Sequence, residues 1–206
     1  MSFSETEIAA FYDQFDFGKL LVNDKAVAKN ARFWYREFLS LTKDQPIFFD
    51  LGCGDGREAR LYREVFGNLS QYYGLDLSSG MLGFTRSHSP EAKLVQASFS
   101  HLPFADNSLP TVWAAASYLH LDHDQILPAL SELYRCLTPG GRGFISLKGH
   151  PSQPIPDYNQ HLARRYSLTE FNQLLKMVGF DVTNMMSDPN RDSRGITWLG
   201  FFFSKK

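Results

Sequence analysis

The chain has little cysteine, no long apolar run and no surplus of either charge. Cys53 and Cys136 are the only cysteines in 206 residues, which excludes a disulfide framework and any cysteine spacing that would collect a metal. No apolar stretch approaches the ~18 residues that a membrane-spanning helix needs. The opening residues MSFSETEI lack the basic region and apolar core of a secretory leader, so the expected location is the cytoplasm and no membrane partner is expected. Lysine and arginine total 21 against 22 aspartates and glutamates, without the basic excess that marks many nucleic-acid binders. Internal repeats and low-complexity segments are lacking too. What is present is a 43% hydrophobic fraction, enough for the core of one domain. The expectation is a single domain over 1–206, with residues 1–45 as a helical cover and 46–206 as its core.

The stretch Phe48 to Arg57 (FFDLGCGDGR) organises the rest. Pro46 to Leu51 is apolar and aromatic, as a buried strand is. Gly52, Gly54 and Gly56 follow at alternate positions, and Arg57 to Phe66 reads as a helix. Glycine accepts positive φ and has no Cβ, so such a turn lets the backbone approach a ligand closely. Strand, glycine turn and helix start together make a nucleotide-type site. The dinucleotide fingerprint G-x-G-x-x-G/A needs Gly or Ala at position 57, where Arg57 stands. A P-loop is excluded because no G-K-[ST] follows. The plain alternative is a strand that ends in a glycine-rich loop without a ligand.

Around this stretch the chain alternates helix and strand. Ser4 and Glu7 have the spacing of a capping box, and Ile8, Phe11, Tyr12 and Phe15 follow at helical intervals. Val27, Ala31, Trp34, Phe38 and Leu41 describe a second helix that covers a sheet. Gln71 to Leu77 is a second strand ending in Asp76, 20 residues after Gly56, where a carboxylate can accept both hydroxyls of a ribose. Ser78 caps the helix that runs to His88, with Met81 near its start. Ala92 to Ala97 is a third strand, and Thr111 to Ser117 a fourth with small residues at its end. A helix over Asp124 to Leu137 must hold Pro128 in its first turn or kink there. Thr138-Pro-Gly-Gly141 stops it before a fifth strand, Gly143 to Lys148. Residues 149–166 are irregular. Ser167 and Glu170 open a helix that Gly179 closes, and Phe180 to Met186 and Thr197 to Ser204 form a final hairpin. The pattern predicts a doubly wound, Rossmann-like α/β fold with a seven-stranded sheet, its last strand antiparallel, and the N-terminal helices as a lid.

From about residue 46 to 204 the chain resembles the class I S-adenosylmethionine-dependent methyltransferases, of the methyltransferase type 11-like, small-molecule kind. The D-x-G-x-G-x-G run from Asp50 to Gly56 is similar to their motif I. The acidic strand end at Asp76, the LPF loop at Leu102 to Phe104 and the TPGG turn follow in the family's order. The resemblance implies S-adenosyl-L-methionine as cofactor and S-adenosyl-L-homocysteine as product. It places Asp50, Gly52, Cys53, Gly54, Asp55, Gly56, Asp76, Leu77, Met81, Ser98, Phe99 and Ala115 around the cofactor, and implies no metal. Two positions depart from the family. Ser98 stands where an Asp is common beside the adenine amino group, and Pro110 where an acidic residue usually precedes the fourth strand.

Methyl transfer from a sulfonium needs positioning more than a dedicated nucleophile. The catalytic residues are therefore unassigned. Tyr12, Tyr118 and His120 are candidates for a general base, Tyr12 being either a lid over the ligand or a packing residue. Neither the Asn-Pro-Pro-Tyr signature of amino-methylating nucleic-acid enzymes nor the Pro-Cys pair of cytosine C5 enzymes is present. That favours a small-molecule acceptor and argues against nucleic acid, with a monomer or homodimer as the working assembly. The alternatives are a tRNA or protein acceptor docked with a partner subunit, and a non-catalytic S-adenosylmethionine-binding module. His161, Arg164, Arg165, Arg191 and Arg194 are either solvated loop charges or partners for an anionic group on the acceptor.

Overall fold

The two carboxyl-terminal strands and the glycine-loop strand share one sheet, and its order follows from where the apolar runs fall. The structure is a computed structural model that describes residues 4–14, 25–45, 47–150, 163–188 and 196–206, with backbone alone for 25–32. In chain order the elements are α1 (Glu5–Asp13), α2 (Lys25–Leu41), β1 (Phe48–Leu51), α3 (Arg57–Phe66), β2 (Tyr72–Asp76), α4 (Ser79–His88), β3 (Lys93–Gln96) and β4 (Leu109–Ala115). After a 3-10 turn at Tyr118–His120 come α5 (His123–Cys136), β5 (Leu137–Gly149), β6 (Arg165–Tyr166), α6 (Leu168–Val178), β7 (Phe180–Asp188) and β8 (Trp198–Lys205).

The sheet runs β3-β2-β1-β4-β5-β8-β7, with the two-residue β6 paired beside β5. The seven expected strands are there, and β6 makes an eighth from Arg165 and Tyr166. Strands β1 to β5 pair in parallel, and β8 is antiparallel to both β5 and β7. Strand order reverses between β1 and β4, so a crevice opens at their carboxyl ends, where α/β sheets of this kind hold ligands.

Aromatic side chains build the core on the β1, β4, β5 and β8 surfaces. Trp113 stacks on Phe144 at 4.2 Å, and Phe144 meets Phe202 at 4.8 Å. Tyr35 and Phe38 of α2 pack on Trp113 at 5.2 and 5.4 Å, so α2 covers the sheet. Of its expected stripe Trp34 and Phe38 are buried, Leu41 at the helix end is exposed, and the side chains of Val27 and Ala31 lie outside the described residues. Such pairs add about 0.5–1.5 kcal/mol each beyond the area they bury.

Several boundaries differ from the sequence reading: β4, for one, runs over Leu109–Ala115 in place of Thr111 to Ser117. Strand β5 starts at Leu137, not Gly143. Leu137 already pairs with Leu109, the TPGG segment then bulges out, and pairing resumes at Arg142 opposite Thr111. Pro110 sits at that interruption, where its missing N–H leaves no ladder bond to lose. The helix α5 begins at His123, one residue earlier than expected, and Pro128 lies at its sixth residue, past the first turn. Strand β7 runs on to Asp188. The two predicted capping boxes, Ser4 with Glu7 and Ser167 with Glu170, are formed.

Candidate functional site

The glycine loop is shaped from both sides. Gly52, Gly54 and Gly56 have φ of 80°, 52° and 73°. A Cβ on Gly52 would stand 2.3 Å from Ser117 Cβ, so glycine is what lets the β1 and β4 ends touch. Ser117 Oγ seals that contact by donating to the Leu51 carbonyl at 2.8 Å. Behind the loop, the Thr85 hydroxyl donates to the Gly54 carbonyl at 2.7 Å. In front of Gly54 the situation reverses. A Cβ there would meet nothing nearer than the Gly52 carbonyl at 4.0 Å, because the space belongs to a cavity.

That cavity has a volume of about 270 Å³ and is lined from β1, β2, β4, the loop after β3 and α1. Of the residues implied by the resemblance, Gly52, Cys53, Gly54, Asp55, Asp76, Leu77, Met81, Ser98, Phe99 and Ala115 line it. Asp50 and Gly56 do not. Asp50 is buried under the loop and accepts from the Tyr72 hydroxyl at 2.5 Å. Burial, and then the charge of Glu58, push its carboxyl well above the ordinary range. Gly56 opens α3, and a Cβ there would strike Thr85 at 2.7 Å.

Asp76 occupies the end of β2 as expected, and its carboxylate is already engaged. Oδ2 accepts from Gly54 N and Oδ1 from Ser78 N, each at 2.9 Å. Desolvation raises its pKa, and the amides of Ser78 and Gly54 oppose that rise. A carboxylate has about four acceptor sites, so two remain for hydroxyls in the cavity. Met81 and Leu77 give an apolar wall beside it, with Phe99 among the same lining residues. Burial pushes the Cys53 thiol up, which disfavours the reactive thiolate. At the β4 end, Ala116 lies in the left-handed region with φ 57°, at a cost of roughly 1 kcal/mol. Its N–H donates to Ser146, which fixes the cavity wall there.

Of the three base candidates, two meet. The Tyr12 hydroxyl and His120 Nε2 are 2.8 Å apart, and both line the cavity. Tyr118 does not line it. It is fully buried behind Phe99, stacked on that ring at 4.6 Å, because its side chain faces the core while His120 turns outward. Tyr118 is therefore a support for Phe99 and not a base. Arg164 and Arg165 also lie outside the lining. Arg164 pairs with Asp122 at 2.5 Å and Arg165 donates to the Gly149 carbonyl at 3.1 Å. His161, Arg191 and Arg194 fall outside the described residues.

Sequence reasoning missed the contribution of α1 beyond Tyr12. Glu5, Ile8 and Ala9 line the cavity with it, and their positions five, eight, nine and twelve make one helix face. The signal was there in the spacing, but Glu5 breaks the apolar stripe. Asp13 fastens α1 down: its Oδ1 accepts from Ser78 Oγ at 2.6 Å and from Gly80 N at 2.9 Å. Arg57 and Glu58, joined by an ion pair at 2.8 Å, are a second unforeseen part of the wall. Among the described residues no group of three His, Cys, Asp or Glu could hold a metal ion. Nor is any described helix long and apolar enough to cross a membrane.

Comparison with known proteins agrees with this geometry. The methyltransferase-domain family profile matches residues 49–145. The ubiquinone/menaquinone biosynthesis C-methyltransferase of Haemophilus ducreyi is 30% identical over 190 residues, which cover 87% of this chain and 67% of that protein. The 2-phytyl-1,4-naphtoquinone methyltransferase of Nostoc punctiforme is 32% identical over 156 residues, covering 71% of this chain and 64% of that one. Each relative thus extends about a third of its length beyond the match. For fold alone, the crystal structure of the cyclase SpnF superposes with a TM-score of 0.74 at 15% identity, covering 99% of this chain and 97% of the other. With the glycine loop, the β2 carboxylate and the switch-point cavity in place, the chain belongs to the class I S-adenosylmethionine-dependent methyltransferases.

Proposed function

We propose that this chain moves the methyl group of S-adenosyl-L-methionine to a small-molecule acceptor. The observation that carries the reading is the open space in front of Gly54, faced by Asp76 and closed at the far side by Tyr12 and His120. The residues fit the cofactor: the loop from Gly52 to Asp55 would take the amino-acid end, Asp76 the ribose hydroxyls, and Leu77, Met81 and Phe99 the base. The bound cofactor supplies a methyl group already activated by a sulfonium. The protein's work is then to orient the partners and exclude water, and positioning alone can be worth ~7 kcal/mol or more.

The acceptor side is Ile8, Ala9, Ala115, Ala116 and Leu121, an apolar wall with the Tyr12–His120 pair as its polar point. That pair can draw a proton from an acceptor hydroxyl or acidic carbon as it attacks. Two relatives are named for methylating quinone precursors or naphthoquinones, which supports an acceptor of small, largely apolar character. The remaining parts of the reading are one domain over 1–206, with 1–45 covering 46–206, working in the cytoplasm as a monomer or homodimer.

The test is a screen of a metabolite extract with S-adenosylmethionine labelled in the methyl group. The expected result is label in a low-molecular-weight product. Label in RNA or protein only, or binding without any product, would overturn the small-molecule reading.

A further inference from the structure

The nucleobase end of the cavity has no carboxylate of its own in the loop after β3. Ser98 and Ser100 stand there instead, and both hydroxyls turn to the same place. Ser98 Oγ hydrogen-bonds Glu5 Oε1, and Ser100 Oγ donates to that same oxygen at 2.9 Å. Glu5 thus reaches 93 residues across the sequence to put a carboxylate beside Ser98 and Ser100, in the wall of the cavity that Leu77, Met81 and Phe99 also line. Its Oε1 is held by two hydroxyls, while Oε2 keeps its acceptor sites. A carboxylate oxygen in that position takes a hydrogen bond from an amine and repels a carbonyl oxygen.

We infer that Glu5, on the N-terminal helix, is the residue that reads the exocyclic amine of the cofactor's adenine. The inference rests on the proposed binding of S-adenosylmethionine. It makes α1 part of the cofactor site and not merely a cover over it. Cofactor selectivity then depends on α1 being docked, which Asp13 secures from the other end of the helix through Ser78 and Gly80.

The experiment compares the affinity of the wild-type protein for S-adenosylhomocysteine and for S-inosylhomocysteine, in which a carbonyl replaces the amine. The wild type should prefer the amine by at least about tenfold, the scale of one charged hydrogen bond. Glu5→Gln keeps an acceptor for Ser98 and Ser100 and gains a donor for the carbonyl. It should pull the ratio toward one, chiefly by tightening the inosine compound. Glu5→Ala should weaken the adenosine compound and, with the repulsion of the carbonyl gone, leave the inosine compound no weaker than before. A purely structural Glu5 would move both ligands together and leave the ratio intact, which would overturn the inference. So would a wild type indifferent to the two. If the protein binds neither compound, the cofactor reading itself falls and this one with it.

Discussion

Asp50 in β1 and Asp76 at the end of β2 are the same residue type on neighbouring strands yet serve opposite ends. Asp50 is sealed in with Tyr72, and burial pushes its pKa well above the ordinary value of 3.8. A carboxyl whose pKa rises on folding favours the fold below its ordinary value, and that favour is lost as pH climbs toward the raised one. Asp50→Asn removes the titration and leaves an acceptor for the Tyr72 hydroxyl. Melting curves from pH 4 to 8 should therefore show the variant gaining on the wild type as pH rises, and parallel curves would mean Asp50 stays charged. Asp76 meets the cavity, so Asp76→Asn should weaken S-adenosylhomocysteine by about tenfold or more with a small loss of melting temperature. Calorimetry that finds an unchanged dissociation constant would reduce Asp76 to a clasp for the Gly54 and Ser78 amides. Asp76 was legible in the sequence because a strand end fixes direction. Tyr118 was not: it and His120 are neighbours in a short 3-10 turn, and nothing local says which of the two faces the core.

At the scale of elements, α1 is the part most exposed to test. Gly80 lies in the first turn of α4 with the Asp13 backbone above it. A Cβ there would come within 3.0 Å of Asp13 Cα. Gly80→Ala should thus raise helix propensity by about 1 kcal/mol while lifting α1 off the cavity. The expected outcome is an equal or higher melting temperature together with several-fold weaker cofactor binding; unchanged binding would show that α1 docks some other way. Asp13 is held below its ordinary value of 3.8, first by Ser78 and then by Gly80. Its contribution is present above that value and lost as pH falls through the depressed one. Cofactor affinity should accordingly fall at acid pH more in the wild type than in Asp13→Asn, whose latch is weakened at every pH. The helices themselves were readable from capping residues and apolar spacing. Where α1 docks was not, since its anchors Ser78 and Ser98 lie more than 60 residues away. The start of β5 was hidden for a related reason: a Pro-Gly-Gly segment reads as a stop, and only pairing with Leu109 reveals that the strand has already begun.

For the whole molecule, the legible part was the layering, because strands and helices alternate and each apolar run has one face to bury. A ligand that grips only the folded protein should stabilise it by ~2.7 kcal/mol at a hundredfold excess over its dissociation constant. For a chain of this length that is roughly 5–10 °C in melting temperature. S-adenosylhomocysteine should give such a shift and NAD none; the reverse pattern would remove the basis for the cofactor assignment. The sheet order has a further consequence. β7 touches the sheet only through β8, which follows it in sequence but lies inside it in space. The apolar row Phe201, Phe202 and Phe203 is needed both to close the edge of β5 and to receive β7. Until β8 is in place the edge of β5 is an unpaired strand edge, the kind of surface on which another chain can pair.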